Sequence, residues 1–377
     1  MPGLLAHVDP DGLLEYSVVY TDRALNHMSR RFQRVMQDVS ATLKQVYGAR
    51  SAVVVPGSGS YGMEAVARQF AGGKKVLVIR NGWFSYRWSQ IFEMGAIPAE
   101  STVLKARMTA SAPRAPFAPA PLDEVVTTIR RLRPDVVFAP HTETSAGLLL
   151  PHDYLRAVAA AVHEHGGLFV LDCVASGAIW VDMAATGVDV IVSAPQKGWS
   201  STPCAGLVML GEEARRRIDG TTSTSFSMDL KKWLAIMETH EQGGNAYHAT
   251  LPTDGLAQLR DVMQETAAFG FDNARAAQQA LGERVRALLA ARGIASVAAP
   301  GFEAPGVVVS YTERADWANT QAWAAQGLQI AAGVPLACDE PADFRTFRVG
   351  LFGLDKLKNV ECTVATFERA LDALLAH

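Results

Sequence analysis

Cysteine is scarce and scattered in this 377-residue chain: Cys173, Cys204, Cys338 and Cys362 form no CxxC pair. That excludes a zinc ribbon and gives no disulfide framework. Basic charge is not in excess either. Lys and Arg number 35 against 38 Asp and Glu, a net charge of -3, so neither a nucleic acid nor an anionic membrane surface is an expected partner. No apolar run is long enough to span a bilayer. The N-terminus lacks a basic segment followed by an apolar stretch, so no signal peptide is expected and a cytoplasmic, reducing compartment is the default. His163-Glu164-His165 spaces its histidines two apart, where a helix turns them to different sides, so no metal site is expected. Position 61 is tyrosine, so the glycine-rich stretch before it is not a serine-hydrolase elbow. No internal repeat is evident.

What the chain has is core. It is 49% hydrophobic and 19% charged, enough apolar material for one large and one small domain. Residues 1–28 show no clear periodicity. From Ser29, a plausible helix N-cap, Phe32, Val35, Met36, Val39, Leu43 and Val46 recur at helical spacing. Short apolar runs at Ala52–Val55, Val76–Ile79, Val136–Phe138, Leu168–Leu171 and Val188–Val192 alternate with helical stretches. Such runs predict an α/β fold with a mostly parallel sheet covered on both faces. Gly206–Leu210 reads as an added strand. Residues 112–121 contain Pro113, Pro116, Pro119 and Pro121 and are expected as an extended surface loop. After about residue 255, long alanine- and arginine-rich helices surround strands at Val307–Val309 and Phe347–Phe352, with a final helix near Val360–Leu375. The expected division is therefore a large domain over 29–254 and a smaller α+β domain over 255–377.

Two residues carry the chemistry. Asp172 and Lys197 each lie just past a buried apolar run. A lysine and an acid at adjacent strand ends are costly to desolvate unless something organic sits between them. Pyridoxal phosphate is such a molecule: its aldehyde takes an amine and its ring nitrogen takes a carboxylate. Either residue alone also reads as a solvated loop lysine or a helix-capping aspartate. Gly57-x-Gly59-x-x-Gly62 follows a strand and precedes a helix, as in the dinucleotide fingerprint. That fingerprint wants an acid at the end of the next strand. Here the strand ends Ile79-Arg80-Asn81-Gly82, which leaves NADP open through Arg80. The simpler alternative is a helix N-terminus holding one phosphate.

Taken in order, the chain's motifs resemble the class V, fold type I pyridoxal-phosphate aminotransferases, the alanine–glyoxylate and serine–pyruvate branch above all. They are His27-Met28-Ser29, Gly57-Ser58-Gly59-Ser60, Asn81 to Arg87, His141 to Gly147 (like HxExSxG), Asp172 to Ser176 (like DSVAS), Gln196-Lys197, Tyr247 to Thr250 and Phe347 to Gly350. The resemblance implies a seven-stranded, mostly parallel sheet in the large domain. It implies that Lys197 attaches the cofactor and then moves a proton, and that Asp172 pairs with the pyridine nitrogen. Val174 and Phe84 would cover the two ring faces, with Trp83 second to Phe84. Ser145 would bond near the ring oxygen, with Thr144 its neighbour. Ser58, Gly59, Ser60 and Gln196 would bind the phosphate, completed by Tyr247 and Thr250 from the other subunit of a homodimer. Arg348 would hold the substrate carboxylate, with Arg345 and Arg87 as rivals.

The resemblance has limits. The family usually opens with a Pro-Gly-Pro turn near the substrate entrance, where this chain reads Leu14 to Thr21. Substrate identity is therefore less fixed than reaction class. The expected activity moves an amino group from an amino acid to a small 2-oxoacid, glyoxylate or pyruvate, by a ping-pong course. The alternatives are a lyase, desulfurase or decarboxylase on the same scaffold, with Cys338 the thiol that a desulfurase would need. An NADP oxidoreductase and a non-catalytic cofactor-binding protein are the readings from other classes.

Overall fold

The computed structural model describes residues 4–376. The first regular element is α1 (Arg30–Tyr47), capped by Ser29, whose Oγ accepts from the Phe32 amide at 3.1 Å. Gly48 ends it in the left-handed region at φ 62°, where a residue without Cβ is favoured. Phe32, Val35, Met36, Val39 and Leu43 are buried as their spacing predicts, with Tyr47 buried in the last turn where Val46 is only half-buried, and each fully buried apolar side chain contributes roughly 1.5–3 kcal/mol.

The strands of the large sheet are β1 (Ser51–Pro56), β2 (Lys75–Arg80), β3 (Glu100–Lys105), β6 (Val136–Pro140), β9 (Leu168–Asp172), β10 (Val190–Ser193) and β11 (Ala205–Leu210). Between β3 and β6 lies a short hairpin of β4 (Arg107–Met108) and β5 (Phe117–Ala118). Between β6 and β9 lies another, of β7 (Thr142–Glu143) and β8 (Leu148–Leu149). The seven-stranded order is β1-β11-β10-β9-β6-β2-β3. All neighbours are parallel except those of β11, which runs antiparallel to both β1 and β10. Six of the strands are buried almost throughout, as near-continuous Val, Leu and Ile runs require of a sheet covered on both faces, while edge strand β3 is half-buried to exposed. Two helices matter for the site, α2 (Gly59–Phe70) after β1 and α3 (Trp83–Gly95) after β2.

The smaller sheet, ordered β12-β14-β13, is antiparallel and consists of β12 (Val307–Tyr311), β13 (Ala331–Ala332) and β14 (Thr346–Gly350). The helix Phe271–Ala291 packs on its β12, and the helix Val360–Leu375 packs on that helix in turn. Trp323 stacks on Phe367 with ring centroids 5.5 Å apart. The helix Thr253–Phe269, which opens the expected small domain, packs along α1.

The proline-rich stretch differs from its expected form. It is no free surface loop. Ala115, Phe117 and Ala120 are buried. The Phe117 amide donates to the Val297 carbonyl at 2.7 Å, and Tyr311 Oη donates to the Ala115 carbonyl at 2.9 Å. The prolines alternate with residues that keep their N–H groups, and Phe117 spends its amide on a strap to the Val297 segment that precedes β12.

Candidate active site

Parallel strands in an open α/β sheet expose their carboxyl ends to one crevice, and ligands collect there. In this chain β1, β2, β6, β9 and β10 deliver Ser58, Phe84, Thr142, Asp172 and Lys197 to one cleft of about 400 Å³. The smaller sheet closes it with Arg348 on β14, and Phe352 lines it just beyond that strand. The strand-end acid and lysine read from the sequence do share one site.

Asp172 ends β9 and is buried, its Oδ1 accepting from the Val174 amide at 2.9 Å. Burial pushes its carboxyl up to about 7. The Val174 amide opposes that rise, the buried Glu143 carboxylate adds to it and the Arg87 guanidinium opposes it. Lys197 follows β10, with Nζ 5.4 Å from the centre of the Phe352 ring. Burial, and then the positive charge of Arg348, hold its amine below the ordinary lysine value. The site thus holds an acid that resists ionising and an amine that resists protonation. A ligand with a cation for the first and an electrophile for the second relieves both.

One wall of the cleft suits an anion. Ser58 is the N-cap of α2 but makes no side-chain capping bond, and the first N–H groups of a helix have no carbonyl partner within it. Arg87 Nη1 donates to Ser60 Oγ at 3.0 Å, adding a positive charge to the same loop. Thr142 Oγ1, a hydroxyl that can donate, is buried without a partner and lines the cleft, as does Gln196, whose amide carries an Nε2 donor. At Gly59 a Cβ would come 2.8 Å from Val174 Cγ2, so glycine is what lets the α2 terminus approach the Asp172 loop. Together these groups fit pyridoxal phosphate. Ser58, Gly59, Ser60 and Gln196 suit its phosphate, Asp172 its ring nitrogen, Lys197 its aldehyde, and Val174 and Phe84 its ring.

Other expected residues fall into place unevenly. Phe84 lines the cleft, with the guanidinium carbons of Arg87 and Arg348 over its ring at 5.4 and 5.5 Å. Trp83 instead packs against Tyr86. Arg348 lines the cleft and donates from Nε to the Ala332 carbonyl at 2.7 Å, leaving the outer nitrogens of its fork for a ligand. Its rival Arg345 donates to the Glu313 carbonyl and does not line the cleft. Ser145 is placed apart from the cleft. Its side chain is not among those lining it; its Oγ donates to Glu143 Oε1 at 2.7 Å and accepts from the Trp83 amide at 2.9 Å. Thr142 on β7 and Thr144 in the turn after it line the cleft. Arg87 is three residues from Phe84, on the same side of α3.

Tyr247 and Thr250 do not line this chain's cleft. They bond to each other at 3.1 Å, and Tyr247 is 55% exposed. Two rival readings lose their residues. Arg80 is buried, donates to Ser89 Oγ at 2.8 Å and lies over the Tyr86 ring, so it offers nothing to a ribose phosphate. Cys338 is buried, donates to the Arg80 carbonyl, and burial pushes its thiol up to about 12, which leaves no thiolate to act as a nucleophile. Among the described residues, no cluster of three or more His, Cys, Asp or Glu is placed to hold a metal, and no helix is long and apolar enough to cross a membrane.

The family model for aminotransferase class-V matches residues 13–346. 2-Aminoethylphosphonate–pyruvate transaminase 2 of Paraburkholderia xenovorans (strain LB400) is 29% identical over 356 residues, covering 91% of this chain and 89% of that protein. Alanine–glyoxylate aminotransferase of Callithrix jacchus is 25% identical over 359 residues, covering 92% of this chain and 82% of that protein. The crystal structure of ureidoglycine–glyoxylate aminotransferase from Bacillus subtilis superposes with a TM-score of 0.77 at 21% identity, over 96% of this chain and 88% of that one, a likeness of fold. With a parallel-sheet crevice, a strand-end lysine and acid, and a family match across most of its length, the chain belongs to the class V aminotransferases.

Proposed function

We propose that the protein is a pyridoxal-phosphate-dependent aminotransferase that moves an amino group from an amino acid to a small 2-oxoacid, glyoxylate or pyruvate. The observation that carries this reading is the convergence of Lys197 and Asp172, at the ends of neighbouring parallel strands, on a cleft with an anion cradle in one wall. The names of the related transaminases support the acceptors.

When bound, pyridoxal phosphate supplies an electron sink for the charge left on the donor's α-carbon. Ser58, Gly59, Ser60 and Gln196 would hold its phosphate, and the Thr144 hydroxyl lines the same cleft. Asp172 would pair with its ring nitrogen, whose positive charge would favour the ionised state that burial alone disfavours. The depressed amine of Lys197 leaves more Nζ unprotonated near neutral pH, the form that can take a proton from the donor's α-carbon and return it elsewhere. Arg348 fixes the donor through its carboxylate by a two-pronged charge-assisted contact. One product leaves before the acceptor enters, which gives ping-pong kinetics.

The same reading makes the working unit a homodimer in which Tyr247 and Thr250 complete the neighbour's phosphate site. The exposed apolar side chains support it. Leu13, Tyr16, Val18 and Phe226 are 88, 76, 101 and 75% exposed. Tyr20 Oη reaches the Leu251 carbonyl and His248 the Phe226 carbonyl, which joins these segments to the one bearing Tyr247. Exposed apolar surface of this kind marks association, and a two-fold dimer would cover it in both copies at once.

Borohydride reduction of the cofactor-loaded protein, followed by peptide mapping, tests the central claim. The expected result is a pyridoxyl group on Lys197; a group on another lysine, or none, overturns it. A donor panel including alanine, serine and 2-aminoethylphosphonate then separates a transaminase from a lyase, because only a transaminase leaves the donor's amino group on the cofactor after a half-reaction.

A further inference from the structure

Glu143 is fully buried and lies one residue away from the cleft-lining positions on both sides. Among the described residues it makes no salt bridge. Its charge is met by hydrogen-bond donors instead. Oε1 accepts from the Phe84 amide at 3.2 Å, the Ser145 amide at 3.1 Å and Ser145 Oγ at 2.7 Å. Oε2 accepts from the Ser85 amide at 2.8 Å and Ser85 Oγ at 2.7 Å. Two of these amides belong to the first turn of α3. That helix begins at Gly82, which has no side chain to cap it, so Glu143 caps it from another element, where the helix dipole favours negative charge. The approach is close enough to demand glycine: a Cβ on Gly82 would run into Ser145 Oγ and come 2.7 Å from Glu143 Cγ.

We propose that Glu143 is a positioning residue of the cleft. Its carboxylate joins the first turn of α3, which carries Phe84 and Arg87, to the β7–β8 hairpin and its turn, which carry Thr142 and Thr144, and so fixes the width of the slot between those walls. This rests on the reading of the cleft as a pyridoxal phosphate site. The five contacts explain why carboxylate is needed. Each oxygen faces at least one backbone N–H, so an amide in its place sets an NH2 against a donor whichever way it turns. Aspartate keeps the charge but is one methylene shorter.

The test compares the full-length parent protein with Glu143→Gln, Glu143→Asp and Ser145→Ala. Three quantities are read: affinity for pyridoxal phosphate, visible circular dichroism of the loaded protein, and hydrogen exchange at the Phe84 and Ser85 amides of the stripped protein. Losing charged hydrogen bonds of this kind should weaken affinity roughly ten- to a hundred-fold in Glu143→Gln. The visible dichroism should change, the two amides should exchange faster, and Glu143→Asp should restore part of each. A folded Glu143→Gln protein with parental affinity, dichroism and exchange overturns the proposal. If that variant does not fold, Ser145→Ala decides: a smaller loss of affinity in the same direction supports the role, and unchanged affinity overturns it. If the parent protein itself takes no pyridoxal phosphate, the reading of the cleft fails, while amide exchange still tests whether Glu143 holds the two walls together.

Discussion

Replacing Asp172 by asparagine should make the cofactor-free protein more stable above neutral pH while impairing its chemistry. Burial raises this carboxyl from 3.8 to about 7. The folded protein therefore holds a proton on Asp172 that the unfolded chain has already lost between those values. By linkage, stability falls as pH rises through that window and stays low above it. At about 1.4 kcal/mol per tenfold, the cost above pH 7 is about 4 kcal/mol. Asparagine has nearly the same shape, its Oδ1 can still accept from the Val174 amide, and it has no charge to bury. The stripped Asp172→Asn protein should match the stripped parent near pH 4 and gain on it steadily up to pH 7–8. Urea unfolding of both proteins across that range measures the gap, and taking the difference cancels every other titrating group. Pyridoxal phosphate should narrow the gap, because a ring cation opposite the carboxylate relieves the parent and finds no partner in the variant. The single-turnover rate of the loaded variant should drop sharply. Parallel stability profiles in the stripped state would refute the claim that Asp172 is held at an energetic disadvantage until a cation arrives.

Two further outcomes follow from the same geometry. Arg348→Ala should lose roughly 30- to several-thousand-fold in efficiency for every carboxylate substrate, the range for losing one partner of a desolvated charge pair. Arg348→Lys should already be impaired because the fork is gone, and the visible spectrum of the loaded protein should persist; parental kinetics in Arg348→Ala would move the carboxylate site to Arg87. His141 is buried and its pKa is depressed to about 3, so the unfolded chain binds its proton first as pH falls below 6.5. Stability should decline by about 2 kcal/mol between pH 6.5 and 5, and His141→Gln should flatten that limb in acid unfolding titrations; an unchanged limb would place the acid sensitivity elsewhere.

The sequence carried the sheet and the main axis of the site because both depend on local pattern. Buried parallel strands are written as unbroken apolar runs, and the residues after their ends are the ones that meet in the crevice. That is why Asp172 and Lys197 could be picked out as candidates that line one cleft. The facing of Thr144 toward the cleft and of Ser145 toward Glu143 is set by the turn after β7, which motif order alone does not describe. Glu143 drew no attention because a lone acid in a motif does not announce that five donors from two segments will converge on it. The strap at 112–121 was illegible in principle. Its partners, Val297 and Tyr311, lie far along the chain, 196 residues away in the case of Tyr311 and Ala115, and prolines suppress the periodic pattern by which a pairing segment is normally found.

That strap also bears on the order of events during synthesis. Ala115 waits for Tyr311, 196 residues further along the chain. At roughly 5–20 residues per second, about ten to forty seconds separate their emergence from the ribosome. During that interval Phe117 is an apolar residue with a free amide, beside edge strand β3 of a half-built sheet. The prolines at 113, 116, 119 and 121 withhold the N–H groups that a mispaired strand would need, and so act as gatekeepers around Phe117. The composition that hides this segment from pattern reading is the composition that keeps it unpaired until its partners arrive.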